Sequence, residues 1–295
     1  MYGKPNIFKS IFLCLLFATN MASANDGSIR VVTSFSILED LVKALGGEYV
    51  SVVNLVGRNS DAHIYQPKPS DAVAIAGADL VVFNGLAFEG WISRLIKNSG
   101  YRNKQLIASD GVDAITYGDE PDPHAWQSFH NIHVYIRNIT RTLIMLRPQH
   151  AIKFTQLQKD YLNTLDILEQ RLVEQLAKTP IDHRVVLTSH DAFGYLGREF
   201  NICFLAPVGL SIEVEASAED VAAVINQIRD QKVKAIFVEN MTSPRLLERI
   251  AAETGVAIGG RLYSDALSET GGPASSYLNM MEHNVQSLIT AFNRS

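Results

Sequence analysis

The sequence predicts an α/β protein of two similar lobes, each a parallel sheet flanked by helices, joined by one long linking helix. Three observations predict it. Short β-branched runs alternate with helically spaced segments, the alternation occurs twice, and a long uninterrupted amphipathic stretch lies between the two occurrences. Strand and helix in alternation form parallel sheets with right-handed crossovers. At 295 residues and 47% hydrophobic side chains, the chain is long enough to build two such lobes.

In the first half, "SIRVVTSF" reads as a strand, "ILEDLVKALGG" as a helix closed by glycines, and "VSVVNLVG" as the next strand. Ser70 then caps "DAVAIAGA" ahead of the strand "DLVVFN". In the second half, "RVVLTS" leads into the helix "DAFGYLGREF" and the strand "NICFLAPVG". Ser217 and Asp220 form a capping box opening "VAAVINQIRD". The strand "KAIFVEN" follows, and Ser243-Pro244 starts a helix that ends at Gly255. The segments beginning at Arg30 and Arg184 also resemble each other directly, which makes two related lobes the economical reading.

Between them, Phe154, Leu157, Tyr161, Leu165, Leu168, Leu172 and Leu176 recur at three- and four-residue steps with no Gly or Pro among them. That spacing predicts one amphipathic helix of roughly 30 residues, about 45 Å long. A helical joint is stiffer than a short irregular linker, so small adjustments are expected in place of wide hinge closure. The expected boundaries are a signal peptide over 1–24, an N-terminal lobe over 25–146, the linking helix over 147–179 and a C-terminal lobe over 180–295.

The first 24 residues carry Lys4 and Lys9, a short apolar run and Ala22-Ser23-Ala24, the marks of a Sec signal peptide cut after Ala24. The run is far shorter than the roughly 20 residues a membrane anchor needs. Cys14 follows "IFL" rather than small residues, so an unlipidated periplasmic protein is expected. Loss of the two lysines takes the net charge from −5 to about −7, an acidic balance that argues against nucleic acid. Cys203 remains alone, forms no internal disulfide, and is expected as a small buried core residue.

Position separates the eight histidines. Open parallel sheets bind ligands beyond the carboxyl ends of their strands. His63, His124, His190 and Asp265 all follow strand-like runs there, two in each lobe. Three imidazoles and a carboxylate suit a divalent transition metal. His150 and His183 flank the linking helix and read as solvated, and His283 reads as a structural hydrogen-bonder. His130 and His133 share a helix at a spacing of three, with nothing evident to complete a metal set.

The segments "DAHIYQPKPSD", "DPHAW", "SHDAFGY" and "YSDALSETGGP" occur in order. They resemble the signature blocks of the zinc/manganese class of ABC-importer solute-binding proteins, the ZnuA/TroA-like family. The resemblance runs from about Val31 to the C-terminus. It implies His63, His124, His190 and Asp265 as ligands of one transported Zn²⁺ or Mn²⁺ per chain, delivered by a monomer to an inner-membrane ABC permease. Ala62 stands where the family usually has proline, and "QSFHN" follows Trp126 where L-D-P-x-N is common, so the support around His124 is expected to differ. The short "TYGDEPDPHAW" lacks the long His-rich loop of many zinc importers, whereas His190 stands where many manganese binders resemble S-E-G-A-F. These two signals oppose each other, and both metals stay open.

A periplasmic zinc hydrolase is the first alternative. It needs an open coordination position and a free general base, and the chain has no His-Glu-x-x-His segment. A metal-binding adhesin is the second, and no sequence feature supports it.

Overall fold

The computed structural model describes residue 1 and residues 27–211 and 216–294. The expected signal peptide, with Cys14, therefore lies outside the described residues apart from Met1. Among the described residues no helix is long and apolar enough to cross a membrane.

The first lobe begins with β1 (Ile29–Phe35), α1 (Ser36–Gly46) and β2 (Val50–Val56). Ile37, Leu38, Leu41, Val42 and Leu45 give α1 one buried face, and Gly47 ends it at φ 55° while donating to the Lys43 carbonyl. Next come α2 (Pro69–Ala76), β3 (Leu80–Phe83), α3 (Ile92–Asn98) and β4 (Lys104–Ile107). The four strands are parallel in the order β2-β1-β3-β4. Ser70 does not cap α2. The helix starts two residues earlier than that cap implies, at Pro69, and the Asp71 carboxylate reaches back to accept from the Lys68 amide at 2.7 Å. A small antiparallel ribbon, β5 (Thr116–Tyr117) with β6 (Glu120–Pro121), precedes α4 (Phe129–Leu146).

The linking helix is α5 (Ala151–Leu176), 26 residues entered through a 3₁₀ turn at Pro148–His150. Phe154, Leu165, Leu168, Leu172 and Leu176 are its buried stripe. At its far end the Arg184 guanidinium donates to the carbonyls of Leu176, Thr179 and Phe200, satisfying acceptors that a helix terminus leaves open. The His150 ring packs on Tyr49, with centroids 4.3 Å apart, so it is not simply solvated.

The second lobe contains β7 (Val185–Leu187), α6 (Gly194–Phe200), β8 (Cys203–Leu205), α7 (Ala218–Gln231), β9 (Ala235–Glu239), α8 (Arg245–Thr254), β10 (Ile258–Leu262) and α9 (Tyr277–Phe292). Its sheet is again parallel, in the order β8-β7-β9-β10, which repeats the first lobe strand for strand. The Ser217–Asp220 capping box opens α7, and Gly255 closes α8 at φ 73°. Cys203 is exposed, contrary to expectation. It starts the edge strand β8, along which exposure falls from Cys203 to Leu205, and its thiol faces Gln231 at 3.6 Å.

The lobes do not keep separate cores. One apolar cluster contains Phe35 and Phe88 from the first lobe, Leu165 and Leu172 from α5, and Phe193, Tyr277 and Val285 from the second. A smaller cluster under α7 and α8 is confined to the second lobe. Leu165→Ala is expected to cost about 2–5 kcal/mol, because it opens a cavity where α5 holds the shared core. Ile167→Ala, two residues along and exposed, is expected to change stability by about 0.5 kcal/mol at most. Urea melts of the two variants check the contrast.

Candidate metal centre

Each predicted site residue follows a strand, and each is held by its own loop. His63 lies between β2 and α2, where its amide donates to Asp61 Oδ1 at 2.7 Å and the preceding Ala62 carbonyl accepts from Trp91 Nε1. His124 follows β6, and Asp122 Oδ1 accepts from both its amide (2.9 Å) and its Nδ1 (2.7 Å). His190 follows β7. Glu239, the last residue of β9, accepts from the Ser189 and His190 amides through Oε1, while its Oε2 stands 2.6 Å from His190 Nδ1. Asp265 follows β10, and the carbonyl of Ser264 before it accepts from Trp126 Nε1 (2.8 Å) and Gln127 Nε2 (2.7 Å). The departure from the family pattern at Gln127 thus ties the His124 loop directly to the Asp265 loop.

The four side chains converge. His63 Nε2 lies 3.3 Å from His124 Nε2 and 3.7 Å from Asp265 Oδ2. His124 Nε2 is 3.5 Å from Asp265 Oδ1, and His190 Nε2 is 3.3 Å from Asp265 Oδ2. Four ligands bound at about 2.0–2.2 Å around a tetrahedral centre stand about 3.3–3.6 Å apart, close to the 3.3, 3.5 and 3.7 Å separations above. His124, His190 and Asp265 are fully buried and His63 is 8% exposed. Among the described residues no amide or hydroxyl donates to either Asp265 oxygen; the polar atoms facing them are imidazole nitrogens. Carboxylates on the Nδ1 side of His124 and His190 set the tautomer that turns the Nε2 lone pairs inward.

An aromatic wall backs the cluster. The Phe88 ring meets His63 edge-on at 4.5 Å and Trp126 at 4.7 Å. Phe88 follows three successive residues at positive φ, Gly85 (88°), Leu86 (51°) and Ala87 (62°). Left-handed Leu and Ala are uncommon and strained. The turn is held by buried Glu89, which accepts from Ser34 Oγ at 2.6 Å and from the amides of Asn84 and Gly85. Burial pushes the Glu89 carboxyl up to about 7 despite those donors.

Charge within the cluster is unevenly shared. Burial lowers the His63 pKa to about 3, outweighing the attraction of Asp265. Burial also disfavours a charged His190, but Glu239 and Asp265 on its two nitrogens outweigh it and hold its pKa well above the ordinary value. Burial would raise Asp265, yet the surrounding imidazoles win and keep it strongly depressed. Asp61, buried beside Asp265, is pushed up to about 6.

Sequence reasoning missed Asp122, Glu239 and Glu89 as supports. Asp122 sits in the quoted "DPHAW" segment, so its position pointed to it, whereas Glu239 is one strand end among several. Glu89 has no such signal. The other histidines divide differently. His283 Nε2 donates to the Arg261 carbonyl at 3.0 Å, the structural role expected of it. His133, however, has company from α5: its Nε2 lies 3.2 Å from Asp166 Oδ1, with Glu169 alongside, so the expectation of an incomplete set there is corrected.

A model of the family described as "Zinc-uptake complex component A periplasmic" matches residues 31–291. The chain belongs to that family. Its relatives are metal-binding substrate-binding components of ABC importers, not enzymes. It is 29% identical to the manganese-binding lipoprotein MntA of Halalkalibacterium halodurans, over 94% of this chain and 93% of that protein. It is 28% identical to the iron-binding protein YfeA of Yersinia pestis, over 97% and 94%. Its fold is similar to the periplasmic zinc-binding protein TroA of Treponema pallidum, with a TM-score of 0.87 and 28% identity, covering 91% of this chain and all of that one. The similarity to TroA agrees with the predicted two-lobe α/β class and its long helix. "Lipoprotein" in the name of MntA weighs against the expectation of an unlipidated member.

In the metal-free protein, His63 is neutral when folded but protonated below about pH 6.5 when unfolded. The unfolded state therefore binds the extra proton between pH 6.5 and 3, and stability falls as pH drops through that window. Urea melts from pH 6.5 to 4 are expected to show His63→Gln losing less stability than the native chain, by up to about 1.4 kcal/mol per pH unit.

Proposed function

We propose that this ZnuA-family protein captures one divalent transition metal ion between His63 Nε2, His124 Nε2, His190 Nε2 and one or both Asp265 oxygens. It then delivers the ion to an inner-membrane ABC permease. The observation that carries the reading is a fully buried carboxylate faced only by imidazole nitrogens at tetrahedral-edge spacing. The ion is cargo: every position is filled by a side chain, which leaves no bound water to activate and no role for a hydrolase. Relatives named for manganese, iron and zinc support a divalent ion from that set. Between Zn²⁺ and Mn²⁺, three nitrogen donors and the general order of divalent affinities favour tighter zinc binding in vitro.

The supports explain capture. Asp122 and Glu239 orient two imidazoles before the ion arrives, so little ordering remains to oppose binding. The raised His190 keeps a proton between Glu239 and Asp265 when no metal is bound, and an incoming cation must displace it. Bonds from Trp126, Gln127 and Arg58 across the lobes favour local adjustment at the cleft over wide opening.

Competition titrations of metal-stripped protein are expected to rank Zn²⁺ above Mn²⁺. Ala at 63, 124, 190 or 265 is expected to weaken zinc at least about 100-fold with the circular dichroism spectrum unchanged. Retained tight binding in any of these variants contradicts the ligand set, and collapse of the fold in all four assigns them to packing. Affinity is also expected to fall about tenfold per pH unit between pH 7 and 6, with about one proton released per ion, measured by calorimetry in buffers of different ionisation heat. An affinity independent of pH contradicts displacement of the His190 proton.

A further inference from the structure

We propose a second divalent-cation site, sharing no residue with the cleft, formed by His133 on α4 and by Asp166 and Glu169 on α5, with Glu199 on α6 as the neighbouring carboxylate. His133 Nε2 is 3.2 Å from Asp166 Oδ1, and one ligand atom from each of His133, Asp166 and Glu169 lies within 4.8 Å of the others. Asp166 and Glu169 stand three residues apart, on one face of the linking helix. Burial raises the Glu169 pKa, and the neighbouring Glu199 carboxyl adds to the rise. Glu199 Oε2 also accepts from the Phe129 amide at 3.0 Å, which fixes it at the start of α4.

Charge balance is what points to a cation. Two carboxylates, Asp166 and Glu169, face one imidazole, and among the described residues no lysine or arginine forms an ion pair with them. A divalent ion offsets that crowding of negative charge. One nitrogen with carboxylate oxygens suits Zn²⁺ and its neighbours in the series. His133 and Asp166 are partly open to solvent, so the ion keeps water and binds more weakly than in the cleft. An ion there joins α4 of the first lobe to the linking helix, so its occupancy fastens that pair from outside the cleft.

The test uses zinc alone and equilibrium dialysis on full-length mature protein. The native chain is expected to bind two equivalents, and His124→Ala with Asp265→Asn together to bind one, which tests the second site whatever the cleft does. Adding His133→Ala or Glu169→Gln to that pair is expected to remove the remaining equivalent and to abolish the zinc-induced rise in Tm. His130→Ala, one turn earlier and exposed, is expected to leave both unchanged. The proposal is overturned if the double variant binds no zinc, if zinc survives both His133→Ala and Glu169→Gln, or if it is lost with His130→Ala instead.

Discussion

A single buried carboxylate constrains the architecture around it. Asp265 has no exposure and, among the described residues, no hydrogen-bond donor other than imidazole nitrogens, and an ionised group in that position costs several kcal/mol unless opposite charge compensates it. The metal-free chain answers with a proton on His190, steadied from its other side by Glu239. In the proposed reading a dication answers better, since it meets all four donors at once. The site is then one electrostatic device with two states, in which pH sensitivity and grip on metal share a cause.

Such a device works only if its parts are held still, and the shared core does that. The four donors come from four loops in two lobes, yet Phe35, Phe88, Trp126 and Tyr277 pack in one apolar cluster immediately behind them. Tyr277 Oη donates to the Trp126 carbonyl, and Trp126 in turn donates to Ser264 beside Asp265. The strained turn at Leu86 and Ala87 is the cost of placing Phe88 against His63. A core continuous across both lobes favours adjustment of side chains and loops at the cleft over wide hinge closure.

Much of this was legible in sequence because it follows from short-range rules. Alternating strands and helices gave the doubled sheet, heptad-like spacing gave α5, and the four convergent residues followed from placing ligands after strand ends. What escaped depends on contacts between distant segments. Glu239 is an unremarkable end of a strand until β7 lies beside it and brings His190 to its carboxylate. Cys203 looked buried because its neighbours are apolar, but a strand's apolar run does not reveal that the strand is an edge. His133 looked unaccompanied because Asp166 and Glu169 reach it only once α5 folds along α4. Ser70 is not the cap because Pro69, whose fixed φ suits the first helical position, starts the helix two residues sooner, after Lys68.

The most direct measurement is anomalous diffraction at the zinc edge from crystals of the zinc-loaded protein. The account predicts a peak between the two sheets about 2.0–2.2 Å from His63 Nε2, His124 Nε2, His190 Nε2 and an Asp265 oxygen. A cleft without that peak, or an ion there bound by fewer than three of these imidazoles, contradicts it.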